Sequence, residues 1–127
     1  MKIIISLKKQ HEFLRVKQQG KKLVTKSFII QACPPLTEDV AVPRFGFIVT
    51  KKNGNAVCRN RIKRRFRALI QGYIKKDPHL PPLDYVIISR AGCIEEPFQD
   101  LAKMLEWAFK EYKTLFEKKL LKDDKDR

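Results

Sequence analysis

The sequence predicts a single-domain α/β sandwich, one small mixed sheet with helices against it. Three observations carry that prediction. Helical and strand-like apolar patterns follow one another in the order α, β, β, α, β, α. The 127 residues are 43% apolar and include eight Phe, enough burial to offset ordering entropy without metal or disulfide staples. No repeat, low-complexity tract or long internal linker divides the chain, so 1–127 reads as one domain with a polar tail from about residue 122.

The first helix is expected from Lys8 to about Gln19, with Leu7, Phe13 and Val16 near helical spacing and Gly20 as its stop. Leu23 to Cys33, LVTKSFIIQAC, reads as one strand that ends at Pro34-Pro35, and RFGFIVT at 44–50 as a second. The loop between them carries Glu38 and Asp39. Asn53-Gly54-Asn55 is turn chemistry, and Asn55 or Asn53 can cap a helix running to Lys76, where Asp77-Pro78 ends it. Its apolar residues Ile62, Phe66, Leu69, Ile70 and Tyr73 form one face, which should pack on the sheet. YVIIS, 85–89, is the continuous apolar run of a strand covered on both faces. Pro97 opens a last helix with Phe98, Leu101, Leu105, Ala108, Phe109, Tyr112, Leu115 and Phe116 on one side. Trp107 lies roughly opposite that side and is assigned no role.

Charge then narrows the function. The net charge is +14, and residues 1–76 hold 19 Lys/Arg against only Glu12, Glu38 and Asp39. Between Asp39 and Asp77 there are 11 basic residues and no carboxylate. A surface that needed only solubility would mix its signs, so the cluster is the footprint of a polyanion site. No apolar run reaches the length of a membrane span, and MKIIISLKK has too short an apolar core for a signal peptide, so a cytoplasmic protein is expected, without a membrane partner. Cys33, Cys58 and Cys93 lack metal-binding spacing and read as reduced thiols, while His11 and His79 have no partner at ligand spacing. No nucleotide-binding, hydrolase or Cys-centred signature occurs, and the acids of the last helix pair with lysines, as Glu106 with Lys110. No catalytic or metal-binding residue is assigned.

The second helix carries the cluster. At 100° per residue, with Ile62 at zero, Arg59, Lys63 and Arg67 fall at about 60°, 100° and 140°, along one border of the apolar face. Arg61 and Arg65 fall at about 260° and 300° on the other border, and Arg64 at about 200° points away. Guanidinium forks bind phosphate oxygens bidentately, and Lys51 and Lys52 precede a helix N-terminus that itself favours anions. An ordinary solvated helix would carry Glu four residues from its cations, and none is present. Helical DNA readers lack flanking strands of this kind, whereas a sheet beside a basic helix suits RNA, so DNA is not the expected partner. A non-enzymatic RNA-binding module, such as a ribosomal protein or RNA chaperone, shares this plan.

KKNGNAVCRNRIKRRFR, residues 51–67, resembles the signature region of the bacterial ribonuclease P protein subunit. LKKQHEFLRVKQQGKK resembles that family's first helix, FGFIVTKK the strand before the signature, and DYVIISR its last strand. The resemblance implies a ribosomal protein S5 domain 2-like fold, with a left-handed crossover between parallel strands. It implies a protein cofactor of an endoribonuclease whose catalytic RNA removes the 5′ leader from precursor tRNA with Mg²⁺ bound mainly by the RNA. By position it makes Lys51, Lys52, Asn55, Arg59, Asn60, Arg61, Lys63, Arg64 and Arg67 RNA contacts. Phe13 becomes an aromatic of the cleft that holds the leader. Lys17 and Gln31 stand in that cleft where the family commonly has aromatics, so leader binding is expected to lean more on charge than on stacking.

Overall fold

The computed structural model describes residues 5–7, 9–36 and 42–118. Five strands form one mixed sheet: β1 (Ile5–Ser6), β2 (Lys21–Val24), β3 (Phe28–Cys33), β4 (Arg44–Ile48) and β5 (Asp84–Ser89), in spatial order β1-β4-β5-β3-β2. The helices are α1 (Gln10–Gln19), α2 (Ala56–Lys76) and α3 (Phe98–Glu117). β4 and β5 are adjacent and parallel, joined through α2, whereas β2, β3 and β5 pair antiparallel. The expected single strand from Leu23 to Cys33 is instead a hairpin. Thr25 turns the chain: its Oγ1 accepts from the Phe28 amide at 3.0 Å, and its amide donates to the Phe28 carbonyl at 2.9 Å. A hydroxyl turn without Gly, Pro or Asn leaves little trace in a pattern search. β1 was not expected either; two residues are too few for a period, and its pairing with Arg44 and Phe45 is supplied by the sheet. The expected helix start at Lys8, the Glu38-Asp39 loop and the polar tail lie outside the described residues, and Leu7 precedes α1 rather than belonging to it.

Strand alternation sorts side chains onto two faces. One receives Phe28, Ile30, Ala32, Phe45, Tyr85 and Ile87, which pack with Ile62, Phe66, Leu69 and Ile70 of α2 and Leu101, Leu105, Ala108, Phe109 and Tyr112 of α3. Each such large apolar side chain contributes roughly 1.5–3 kcal/mol on burial. Paired across parallel strands, Phe45 and Tyr85 stack with centroids 5.1 Å apart. The Tyr112 hydroxyl reaches the carbonyls of Lys21 and Ile30 at 2.6 and 2.9 Å, tying α3 to the hairpin. The opposite face carries a smaller cluster of Leu7, Val16, Cys33 and Val86, with Phe13, Ile48 and Ile88 partly buried against it, and α1 lies over it. Among the described residues Cys33, Cys58 and Cys93 are not joined in a disulfide, and burial pushes the Cys93 thiol up to about 11.

Candidate nucleic-acid interface

The basic helix begins where the sequence places it. Gly54 adopts φ +108°, a left-handed conformation that favours glycine, and Asn55 then caps α2 by accepting from the Cys58 amide at 2.9 Å. The side-chain oxygen of Asn55 is thereby engaged, leaving its amide hydrogens for a ligand. Asn53 is buried, with its Nδ2 3.3 Å from the Thr50 carbonyl. Lys51 and Lys52 are exposed on the short 3-10 turn Lys51–Asn53, directly before the cap.

Along α2 the apolar stripe is buried and the cations ring it. Asn60, Arg61, Arg64 and Arg67 are exposed, whereas Arg59 and Lys63 are half-buried at the sheet-side border. Among the described residues, none of Lys51, Lys52, Arg59, Arg61, Lys63, Arg64 and Arg67 forms an ion pair. The Arg59 Nε is buried without a hydrogen-bond partner among the described residues. Arg67 stacks over Phe47, 5.6 Å from the ring centre, which holds a guanidinium against the sheet without neutralising it.

Not every cation of the cluster is free. Arg65 turns back into the protein: it donates to the Ile94 carbonyl at 2.9 Å and to the Glu96 carbonyl, and lies over Phe98. Arg65→Ala is therefore expected to cost about 1.5–3 kcal/mol in denaturant unfolding while leaving the salt dependence of RNA binding close to that of the native chain. Arg44, by contrast, is neutralised by carboxylates. Its guanidinium forks onto Asp84, with Nε–Oδ1 and Nη2–Oδ2 both 2.8 Å, and reaches Glu12 Oε2 at 3.0 Å. Arg15 of α1 also pairs with Asp84 and donates to the Pro34 carbonyl at 2.8 Å. The 11 unneutralised cations read from the sequence are thus reduced by Arg44, whose partners lie 32 and 40 residues away in the chain.

The three residues expected at a leader cleft separate in the structure. Phe13 lies over Gly46, where a Cβ would come within 2.4 Å of its ring, so the glycine is what lets the aromatic rest on the sheet. Together with Ser6, Leu7, Phe47, Lys63 and Arg67 it lines a cavity of about 220 Å³. An aromatic ring and two cations of α2 therefore converge beside β4. Lys17 is exposed on α1 and does not line this cavity. Gln31 is only 6% exposed, and its Nε2 donates to the Lys17 carbonyl at 3.2 Å, so it fastens α1 to β3. Sequence reasoning missed Gly46, Phe47 and the anchoring pairs of α1. A glycine between two Phe in a strand was the available signal for a close approach.

Residues 1–113 match the family model of Ribonuclease P. The ribonuclease P protein component of Brucella suis is 39% identical over 110 residues, covering 82% of this chain and 77% of its own length. That of Shouchella clausii is 35% identical over 112 residues, covering 86% of each chain. The solved RNase P protein of Staphylococcus aureus has a TM-score of 0.73 at 29% identity, covering 85% of this chain and 94% of its own. That of Thermotoga maritima, at 23% identity and a TM-score of 0.68 over 84% of this chain and 96% of its own, shares the fold. Sequence match, shared fold and the basic signature helix agree: the chain belongs to the ribonuclease P protein family.

Proposed function

We propose that this chain is the protein subunit of a ribonuclease P holoenzyme, binding the catalytic RNA along α2 and the 5′ leader of precursor tRNA across the Phe13 side of the sheet. The observation that supports this most is the exposed row Arg61, Arg64 and Arg67, without ion pairs among the described residues and continued by Lys51 and Lys52 at the helix start. A helix fixed by its apolar stripe sets the spacing of those arginines along the backbone, so only their side-chain freedom is lost when phosphates bind. Asn60, exposed in mid-helix, offers an amide to a nucleotide or to a metal-bound water. Phe13 offers a ring for one leader base, and Lys63 and Arg67 offer charge to the phosphates beside it. With Lys17 also exposed, leader affinity in this chain is weighted towards charge.

Among the described residues, no three His, Cys, Asp or Glu side chains converge as metal ligands. In this reading Mg²⁺ is held mainly by RNA phosphates, the bond-breaking step belongs to the RNA, and the protein contributes binding, alignment and charge neutralisation. The site of action is the bacterial cytoplasm. A salt series tests the binding: with several phosphate contacts, log affinity for ribonuclease P RNA should fall by about 0.7–0.9 per contact for each decade of salt. An affinity indifferent to salt contradicts the assignment.

A further inference from the structure

At the sheet edge opposite β1 lies a groove that the basic helix does not reach. Among the described residues β2 is the outer strand and pairs only with β3, and its last residue Val24 is 53% exposed. Val24, Thr25 and Lys26 face Lys103, Met104 and Trp107 of α3 across a space of about 410 Å³, within the usual size of a small-ligand site of about 300–1,000 Å³. Trp107 is 45% exposed, so part of its indole is open to solvent.

We propose that this groove is a second RNA contact, taking an unpaired nucleotide whose base stacks on Trp107 and whose phosphates meet Lys26 and Lys103. Both charged side chains that line it are cationic. Lys26 is held only at 3.5 Å by Glu96 and its side chain is 80% exposed, leaving it free to turn to a phosphate. An exposed aromatic side chain sharing a groove with cations is an arrangement that binds single-stranded nucleic acid without sequence preference. A second copy of the chain fits poorly. It would bring +14 against +14, and pairing two β2 edges would crowd the exposed Lys21 and Lys22 of both copies into one short ladder. The proposal rests on the RNA-binding reading and extends its footprint to the far edge of the sheet.

Trp107 is the only tryptophan, so its emission reports this groove alone. Titrating the intact protein with a short single-stranded oligoadenylate should quench Trp107 saturably, and a blunt RNA duplex should not. With a labelled oligoadenylate read by anisotropy, Trp107→Leu should weaken binding by about fivefold to a hundredfold, and Trp107→Phe should retain most of it. Circular dichroism checks that both variants fold. Oligoadenylate binding with unchanged Trp107 emission, and equal affinity for Trp107→Leu, would overturn the proposal. Stronger quenching by oligoglutamate than by oligoadenylate would overturn it in favour of an acidic protein partner. Dimerisation abolished by Trp107→Leu would overturn it in favour of a second copy. The Arg61→Ala/Arg64→Ala variant separates the two sites: if only the α2 assignment fails, its affinity is unchanged while Trp107 still responds.

Discussion

Replacing Arg61 and Arg64 together by Ala is expected to weaken binding of ribonuclease P RNA by about a hundredfold or more, with almost no change in melting temperature. Both side chains are exposed on α2 and neither forms an ion pair among the described residues, so the folded protein loses no ion pair. Each removes a charge-assisted hydrogen bond of about 1.5–3 kcal/mol from the complex, and two together exceed a factor of a hundred at 1.4 kcal/mol per tenfold. The salt slope should fall at the same time, by about 0.7–0.9 for each lost contact. Affinity and slope measured across a salt series separate this from a general loss of charge. A double variant that binds with native affinity and slope contradicts the placement of the RNA on this helix face, and one that unfolds contradicts the exposure of the side chains.

The second large effect concerns stability. Asp84→Ala should destabilise the protein by about 3–5 kcal/mol, the range for breaking a buried charge pair, which for a chain of this size lowers the melting temperature by roughly 10–25 °C. The Asp84 side chain is fully buried and holds both Arg44 and Arg15. Its hydrogen bond is the main cause that raises Arg44 above its ordinary range, against the opposing effect of burial, with Glu12 adding to the rise. Removing the carboxylate leaves two neighbouring guanidinium groups with Glu12, beside Arg44, as the remaining ion-pair partner among the described residues. Because Arg15 lies on α1 and Arg44 on β4, the same change should loosen α1 from the sheet and disturb Phe13, so leader affinity should fall even at temperatures where the domain remains folded. A melting temperature within a few degrees of the native value would show that the network contributes little.

These two sites differ in how far the sequence reveals them. The basic helix is local: its cap, its apolar stripe, its cations and its stop all lie between Asn55 and Asp77, so a helical projection separates packing from binding. That projection also put Arg65 on a border, but it could not say that the loop 93–96 folds back to receive it. The anchoring network is non-local. Asp84 and Arg44 become neighbours only when β4 and β5 pair in parallel, and Arg15 joins them only when α1 crosses the sheet. In the chain they look like one acid and two of many cations. Gln31 shows the same limit, since an alternating strand pattern gives its face but not the α1 carbonyl that covers it. Trp107 was legible as exposed, and the groove beside it was not, because the hairpin that forms its other wall was read as a single strand.

The most direct test of the central claim is reconstitution. The intact protein is mixed with a bacterial ribonuclease P RNA and precursor tRNA at Mg²⁺ too low for the RNA to cleave efficiently alone. The account predicts stimulated cleavage at the 5′ end of the tRNA and none by the protein without RNA. Absence of stimulation, with the protein bound to the RNA, would leave a binding module without this enzymatic role, and cleavage by the protein alone would contradict the assignment of catalysis to the RNA.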